Sequence, residues 1–492
     1  MNALLVYPKF PDTFWSFKHI LRFVSKKAAF PPLGLLTVAS MLPKEWDKKL
    51  IDTNVNELRD EHIQWANMVF IGAMLIQKSG AQEIIRRCKK HGKKVVAGGP
   101  AFATGHEKFE GVDHFVLNEA EVTLPMFLKD LENGKPKKMY TSQERPDITK
   151  TPIPMWPMVN FKDYATMSVQ YSRGCPFNCE FCDIIIMNGR VPRTKTAKQL
   201  INELESLYNA GWRGPVFVVD DNFIGNKKNV KKLLPLLIKW QKEHRYPFIL
   251  LTEASTNLAD DAQLMKMMSA ANFNKVFVGF ETPNADSLKE CSKIQNIKRN
   301  PEETVKIINK NGMEVMGGFI VGFDHDKENI FERQIKFIQR IGVVTAMVGI
   351  LNVLPQTRLW NRLKAEGRIL HESIGESTDG SINFIPKMGK KKLSDGYKKI
   401  LRRIYSPKYY YKRIDRLIGN YRPTAKCRIS KEMLEAFIKS IWSIGVLSSE
   451  RFLYWRLIIK TFLTKIKALN LAVELSINRQ HFKKIVEKIS RC

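Results

Sequence analysis

Cys175, Cys179 and Cys182 stand in the run Ser172-Arg-Gly-Cys-Pro-Phe-Asn-Cys-Glu-Phe-Cys-Asp183. Three thiols in so short a loop cannot all pair as disulfides, and no fourth Cys or His follows at zinc-finger spacing. Thiolates are the ligands of iron–sulfur clusters, and a four-iron cube ordinarily takes four of them. A loop that offers three leaves one iron open to an outside ligand. Gly174 and Pro176 shape the loop, and Phe181 stands just before its last cysteine. The bland alternatives are a zinc site or three buried thiols.

Such a loop needs a frame that turns ligand-facing groups toward one rim. From 165 to 365 the sequence alternates strand-like and helix-like segments. Strands are expected at Ser168–Tyr171, Pro215–Val219, Phe248–Thr252, Lys275–Phe280, Glu314–Val321 and Ala346–Val353. Strands alternating with helices imply a parallel sheet with its ligand groups at the carboxyl ends. Those ends carry Asp220 and Asp221, then Glu253 and Ser255, then Glu281, then Gly322. Any one strand-end acid is as readily a helix N-cap; four such ends in order behind a cysteine triplet favour a ligand.

Residues 1–140 carry a second alternation, with strands expected at Ala3–Tyr7, Lys49–Thr53, Met68–Met74, Lys94–Ala97 and His114–Leu117. This reads as a doubly wound α/β domain, which binds ligands outside the carboxyl ends of its strands. No G-x-G-x-x-G follows the first strand, which disfavours a dinucleotide. Residues 141–164, rich in proline, read as a linker. Residues 366–492 read as a helical domain, with helices expected at Lys391–Tyr405, Ser406–Tyr421, Ser430–Ile444, Ser448–Ala468 and His481–Ile489. In the fourth of these, Phe452, Trp455, Ile459, Phe462, Leu463 and Ile466 trace one stripe. Such a stripe is expected to be core, the rival being an amphipathic face that seats on lipid.

A hydrophobic content of 44% in 492 residues excludes global disorder. The formal net charge is +31, and from Lys387 onward 27 Lys and Arg face 7 Asp and Glu. Charge of this kind speaks to partners, here an anionic membrane surface, nucleic acid or an acidic substrate, or to a solvated basic face. Cys88, Cys291, Cys427 and Cys492 are scattered and read as ordinary thiols. The opening run Met1-Asn-Ala-Leu-Leu-Val-Tyr7 passes straight into a strand pattern, and no uncharged apolar run reaches spanning length. The expected location is cytoplasmic, with peripheral attachment at the inner face of the membrane; a reducing compartment suits an oxygen-sensitive cluster.

The cysteine loop resembles the signature of the radical S-adenosylmethionine (SAM) enzymes. The resemblance implies a [4Fe-4S] cluster on Cys175, Cys179 and Cys182 whose open iron SAM chelates, an electron from a donor such as flavodoxin or ferredoxin, and a 5′-deoxyadenosyl radical. It also implies a partial (β/α)6 barrel, with Phe181, Asp220, Asp221, Glu253, Ser255, Glu281 and Gly322 flanking SAM. Asp220 and Asp221 fall where that family carries Gly-Gly-Glu, so they correspond by position and not by identity. The N-terminal part resembles the cobalamin-binding domain fused to many such enzymes, on Pro31-Pro-Leu-Gly-Leu35, Asp52, Gly98-Gly99 and Asn118-Glu-Ala-Glu121. That likeness implies cobalamin against Asp52, Asn54, Gln77, Gly98, Gly99 and Glu119, with the glycines admitting its nucleotide tail. Asn54 stands where a cobalt-ligating histidine would, and Glu57 replaces the glycine of the same pattern, so histidine ligation is excluded there.

Phe14-Trp-Ser-Phe17, Val219-Asp-Asp-Asn-Phe-Ile-Gly-Asn226, Thr252-Glu-Ala-Ser255 and Gly279-Phe-Glu-Thr-Pro283 extend the likeness over nearly the whole chain. It resembles the cobalamin-domain radical SAM family with a basic helical tail, whose lipid-acting members include hopanoid methylases. The resemblance implies a cobalamin-dependent methyltransferase that modifies an unactivated carbon of a lipid-like, apolar substrate. The rivals are radical C–C bond formation, cyclisation or rearrangement without methyl transfer, and a non-catalytic cobalamin sensor. Nucleic-acid modification is disfavoured despite the charge, because methylthiolating tRNA enzymes carry a second cysteine set and only Cys88 precedes this motif. No residue is assigned as catalytic.

Overall fold

Both expected alternations form parallel sheets in the computed structural model, which describes residues 1–426 and 430–491. Cys427 and Cys492 lie outside the described residues. The chain divides into two compact units. Met1–Pro11, Lys27–Val169 and Arg193–Trp212 make the first; Asp12–Lys26, Gln170–Pro192 and the chain from Arg213 on make the second.

In the first unit β1 (Asn2–Tyr7), β2 (Asp47–Asp52), β3 (Met68–Gly72), β4 (Lys94–Gly98), β5 (His114–Val116) and β6 (Met139–Tyr140) pair in the order β2-β1-β3-β4-β5-β6, all parallel. Leu4, Val6, Val69, Ile71, Val95 and Ala97 enter the core on one face, and Ala3, Leu5, Met68, Phe70 and Val96 that on the other. A sheet buried on both faces needs apolar residues at successive positions, which is why these strands read as unbroken runs. β6 is a strand beyond the five expected; two residues carry no readable period. Residues 141–164, expected as a linker, lie along this unit: Ser40 donates to the Ile153 carbonyl at 2.7 Å, and Trp156 is buried.

In the second unit the strands Gly214–Val218, Phe248–Glu253, Phe273–Glu281, Glu314–Val321 and Ala346–Ile350 pair in chain order, all parallel. The strand before the cysteine loop, Met167–Val169, falls among the first unit's residues. The tail helices belong to the same unit as the barrel strands. Tyr405 donates to the Ala346 carbonyl at 2.7 Å, Tyr397 to the Val348 carbonyl at 3.1 Å, and Lys275 on the third strand pairs with Glu474. The helices are Lys390–Ile404, Pro407–Asn420, Lys431–Ser440 continued by a π-helical stretch Ile441–Val446, Arg451–Lys465 and Leu469–Arg491.

Two expectations for the tail change. The last helix begins at Leu469 and not at His481, because its early turns bury polar groups that hide the period. Ser476 donates to the Ala472 carbonyl at 2.8 Å, and Arg479 pairs with buried Glu450 at 2.9 Å. The aromatic stripe is not core: Phe452 and Leu463 are each 75% exposed, and Ile459, Phe462 and Ile466 are exposed with them. The Arg451–Lys465 helix buries Tyr454, Leu457, Ile458 and Thr461 instead. It is apolar on both sides, so its sequence contains two stripes and only packing decides between them.

Candidate active site

The cysteine loop is held in shape before any thiol is considered. Gly174 has φ 97°, and a Cβ there would stand 2.9–3.2 Å from the carbonyl oxygens of Gly189, Val191 and Asn188, so neither its backbone nor its surroundings admit a side chain. Asp221 accepts from the Gly174 amide at 2.7 Å and from Asn188 Nδ2 at 2.9 Å. Asp220, fully buried, accepts from the Tyr171 amide and the Ser172 hydroxyl, both at 2.7 Å. Burial pushes the Asp220 carboxyl up to about 7. Both aspartates expected at SAM are thus engaged in shaping the loop.

On its other side the loop is clamped by the Arg358–Ala365 helix. Arg362 grips Glu180 with two nitrogens at 2.8 and 3.2 Å, Arg358 donates to the Asn178 carbonyl at 3.2 Å, and the Leu359 amide donates to the Glu180 carbonyl at 3.0 Å. A bidentate guanidinium–carboxylate pair fixes orientation as well as distance. Cys179 and Cys182, which flank Glu180 and Phe181, are therefore carried on a braced segment. The Phe181 ring lies 6.3 Å from that of Phe323.

None of the three thiols is in a disulfide. Burial pushes Cys182 up to about 12 and raises Cys175, so both are neutral thiols until a metal group displaces their protons. Two amides that the sequence did not single out point at the sulfurs: Asn222 Nδ2 lies 3.9 Å from Cys175 Sγ, and Gln295 Nε2 lies 3.9 Å from Cys179 Sγ. Donors of this kind tune a cluster's potential. Among the described residues no three His, Cys, Asp or Glu side chains close on a single ion. The fit to a four-iron cube, a wider group, rests on the donor chemistry: three free thiols with amide N–H groups directed at them.

At the strand ends that follow the loop two polar groups lack partners. Asn222 also donates to Ser255 Oγ at 3.2 Å, yet its Oδ1 is buried with no hydrogen bond among the described residues. Ser255 in turn donates to Asn257 Oδ1 at 2.6 Å. Glu253, at its strand end, finds no hydrogen-bonding partner for its carboxyl among the described residues; burial, then Asp221 and Asp220, push it up to about 8. An orphaned acceptor and an unpaired acid are each costly unless a ligand satisfies them. They fit a polar ligand that carries a cation.

Glu281 differs. Its backbone has φ 62°, and its carboxylate pairs with the buried ammonium of Lys293 at 2.5 Å. Burial opposes that charge, but Glu281 holds Lys293 protonated well above the ordinary lysine range. Gly279 makes room for the pair, since a Cβ there would lie 2.8 Å from Lys293 Nζ. Lys293 also went unread in the sequence; its one signal is a lone cation in Cys291-Ser-Lys-Ile-Gln295. Gly322 answers to packing, its amide bound by Asp326 at 2.9 Å and its missing Cβ replaced by Leu393, 3.0 Å away.

The residues expected at cobalamin meet at the carboxyl edge of the first unit, and most are satisfied there. Asp52 accepts from the Asn54 amide at 2.9 Å, Asn54 Nδ2 at 2.7 Å and Tyr164 OH at 2.9 Å. Asn54 Oδ1 accepts from the Phe10 amide at 2.8 Å, so Asn54 ties the end of β1 to the end of β2. Gln77 is buried, bonded to the Pro8 carbonyl and the Met74 amide. Glu119 pairs with Arg193 at 2.8 Å and Arg145 at 3.4 Å. Gly98 and Gly99 adapt the backbone to neighbouring backbone: a Cβ on Gly98 would meet the Val116 carbonyl at 2.6 Å, and one on Gly99 the Ala73 carbonyl at 3.1 Å. The sheet's own backbone thus requires glycine at both positions. At this edge Asn54 offers an amide, spent on Asp52 and the Phe10 amide, and no imidazole.

Comparison with known proteins follows the same lines. Residues 169–338 match the family model of the radical SAM superfamily, and residues 357–492 that of a domain of unknown function, DUF4070. The chain is 44% identical over 469 residues to an uncharacterized methyltransferase of Synechocystis, covering 92% of this chain and 86% of that protein. It is 33% identical to the hopanoid C-2 methylase of Rhodopseudomonas palustris, covering 92% and 88%. The solved structure of OxsB, a cobalamin-dependent SAM radical enzyme with aqua-cobalamin and SAM bound, shares the fold at a TM-score of 0.64 and 15% identity, over all of this chain and 80% of that one.

Proposed function

This chain belongs to the radical SAM superfamily, in the branch of the hopanoid C-2 methylase, and on that footing we propose that it methylates an unactivated carbon of an isoprenoid-type, apolar substrate with the help of cobalamin. When bound, a three-thiolate [4Fe-4S] cluster with SAM supplies a hydrogen-abstracting radical, and cobalamin supplies a methyl group. Cys175, Cys179 and Cys182 hold the cluster, and Asn222 and Gln295 direct N–H groups at two of its sulfur ligands. Glu253 takes the ammonium of SAM, with Asn222 Oδ1 free to accept beside it. Asp220, Asp221 and Arg362 hold the loop still, so that the reacting groups meet a prepared geometry. Asp52, Asn54 and Gln77 shape the corrinoid's edge without ligating cobalt.

The observation that carries the reading is three unbridged thiols, Cys179 buried and Cys175 and Cys182 part-buried, with the unsatisfied Asn222 Oδ1 and the unpartnered Glu253 carboxyl at the strand ends that follow. The apolar substrate is supported by the likeness to a hopanoid methylase. Cells fed methionine with a deuterated methyl group test it: the expected product is an isoprenoid lipid bearing one labelled methyl, present in the parent and lost on deletion of this protein. A product differing only by the loss of two hydrogens would replace methylation with cyclisation.

A further inference from the structure

Two helices of the tail, Lys431–Ser440 with its π-helical continuation and Arg451–Lys465, form a hairpin whose arms are bound to each other. Ser440 Oγ and Tyr454 OH lie 2.8 Å apart, and Trp455 Nε1 donates to the Gly445 carbonyl at 2.9 Å. The first arm buries Ala436, Ser440 and Ile444 and leaves Leu434, Ile438 and Trp442, at fourfold spacing, 53–64% exposed. The second buries Tyr454, Leu457 and Thr461 and leaves Phe452, Ile459 and Leu463 53–75% exposed. At 100° per residue those last three fall within an arc of about 40°. Scattered exposed apolar residues are ordinary, but ridges of Leu, Ile, Trp and Phe on adjoining helices mark a surface that meets something.

The rim tells what it meets. Arg456 and Lys460 follow the second ridge along one flank, both 58% exposed and anchored by Asp415 at 2.8 and 3.1 Å. Lys431 and Arg451, both exposed, stand on the hairpin too, with Lys467 just past the end of its second arm. An apolar ridge edged with cations is complementary to acyl chains beneath anionic headgroups. A second copy of the chain would bring one strongly basic tail against another. The second arm's 15 residues span about 22 Å, short of the ~30 Å hydrocarbon core, and among the described residues no helix is long and apolar enough to cross a membrane. We propose that this hairpin lies on an anionic bilayer, its ridges among the acyl chains and its basic flank at the headgroups. The surface alone carries this; it does not rest on the proposed reaction, though it would set an enzyme for apolar substrates at their source.

Full-length protein is sedimented with vesicles of phosphatidylglycerol and phosphatidylcholine, and with phosphatidylcholine alone, at low and high salt. Wild type is expected to bind the anionic vesicles, less at high salt as screening shortens. The Phe452→Ser/Leu463→Ser variant, which changes only exposed positions and keeps the wild-type melting temperature, is expected to lose at least about 100-fold in partitioning, roughly tenfold or more for each buried side chain. Arg456→Gln/Lys460→Gln is expected to weaken anionic binding and its salt dependence together. Equal binding to both vesicle types, no binding, or undiminished binding by the Phe452/Leu463 variant would overturn the proposal. So would a lipid-free dimer that this variant dissolves, which would assign the face to a second copy.

Discussion

Replacing Glu253 by glutamine separates the cost of a ligand-ready acid from its use. The native carboxyl is pushed up to about 8 from an ordinary 4.5, first by burial and then by Asp221 and Asp220. The sign follows from proton uptake. Between those two values the folded chain keeps a proton that the unfolded chain has lost, so this group's stability contribution is complete below pH 4.5 and is lost as pH rises through 8. The slope approaches about 1.4 kcal/mol per pH unit in that window. Glutamine keeps the shape and removes the titration. Cluster-free, reduced Glu253→Gln protein should therefore gain on wild type by up to about 2 kcal/mol between pH 6 and pH 8, read as a widening gap between their urea midpoints. Asp220 titrates in both proteins, so the difference reads Glu253 together with its repulsion by Asp220 and Asp221. In cluster-loaded protein the order reverses: losing a charge-assisted hydrogen bond worth about 1.5–3 kcal/mol should weaken SAM binding roughly 10- to 100-fold. Wild-type affinity should also rise with pH toward 8 while the variant's stays flat. A stability gap that does not change with pH, or unaltered SAM affinity in Glu253→Gln, would refute the reasoning.

Three further outcomes are expected. Lys293→Met leaves the Glu281 carboxylate buried without its partner and should cost about 3–5 kcal/mol in urea unfolding, most of it recovered in Lys293→Met/Glu281→Gln; equal loss in the single and double variants would show that the pair is not the source. Cys179→Ala, reconstituted without oxygen, should lose the cluster's visible absorbance and all SAM cleavage, whereas full zinc occupancy in anaerobically purified wild type would remove the cluster reading. Hydroxocobalamin should stay with the protein through gel filtration and show a spectrum without imidazole coordination; an imidazole-type spectrum, or no retention, would contradict the part assigned to Asn54.

The frame was legible because its signals are local. Unbroken apolar runs such as Ala3–Tyr7 and Val315–Val321 are what a strand buried on both faces requires, and both appear within parallel strands. The thiol spacing was legible for the same reason. Lys293 and Gln295 were not, because they lie more than a hundred residues from the cysteines and reach them only through the fold. The tail misled in a particular way: an exposed apolar stripe and a buried one have the same period, so the Arg451–Lys465 helix could not declare its inner face. Gly98 and Gly99 are ambiguous in a different way, since a glycine demanded by neighbouring backbone looks in sequence like a glycine demanded by a ligand.

What separates structural from ligand-directed polar groups in this chain is satisfaction. Asp220, Asp221 and Asp52 have their acceptors filled by amides and hydroxyls of the chain, and Glu119 and Glu281 have their charge met by Arg193 and Lys293. All of these stood at strand ends where a ligand was expected, and folding itself accounts for them. Asn222 Oδ1 and the Glu253 carboxyl stand at equivalent ends, and folding leaves them without partners. A buried acceptor left open costs about 1–3 kcal/mol, and a carboxyl raised as far as Glu253 costs more at neutral pH. A chain that keeps both beside three unbridged thiols is built around something it does not itself supply. Two open oxygens at the strand ends behind a three-thiol loop are the donor set that the proposed SAM site calls on, Glu253 for an ammonium and the thiols for a cluster.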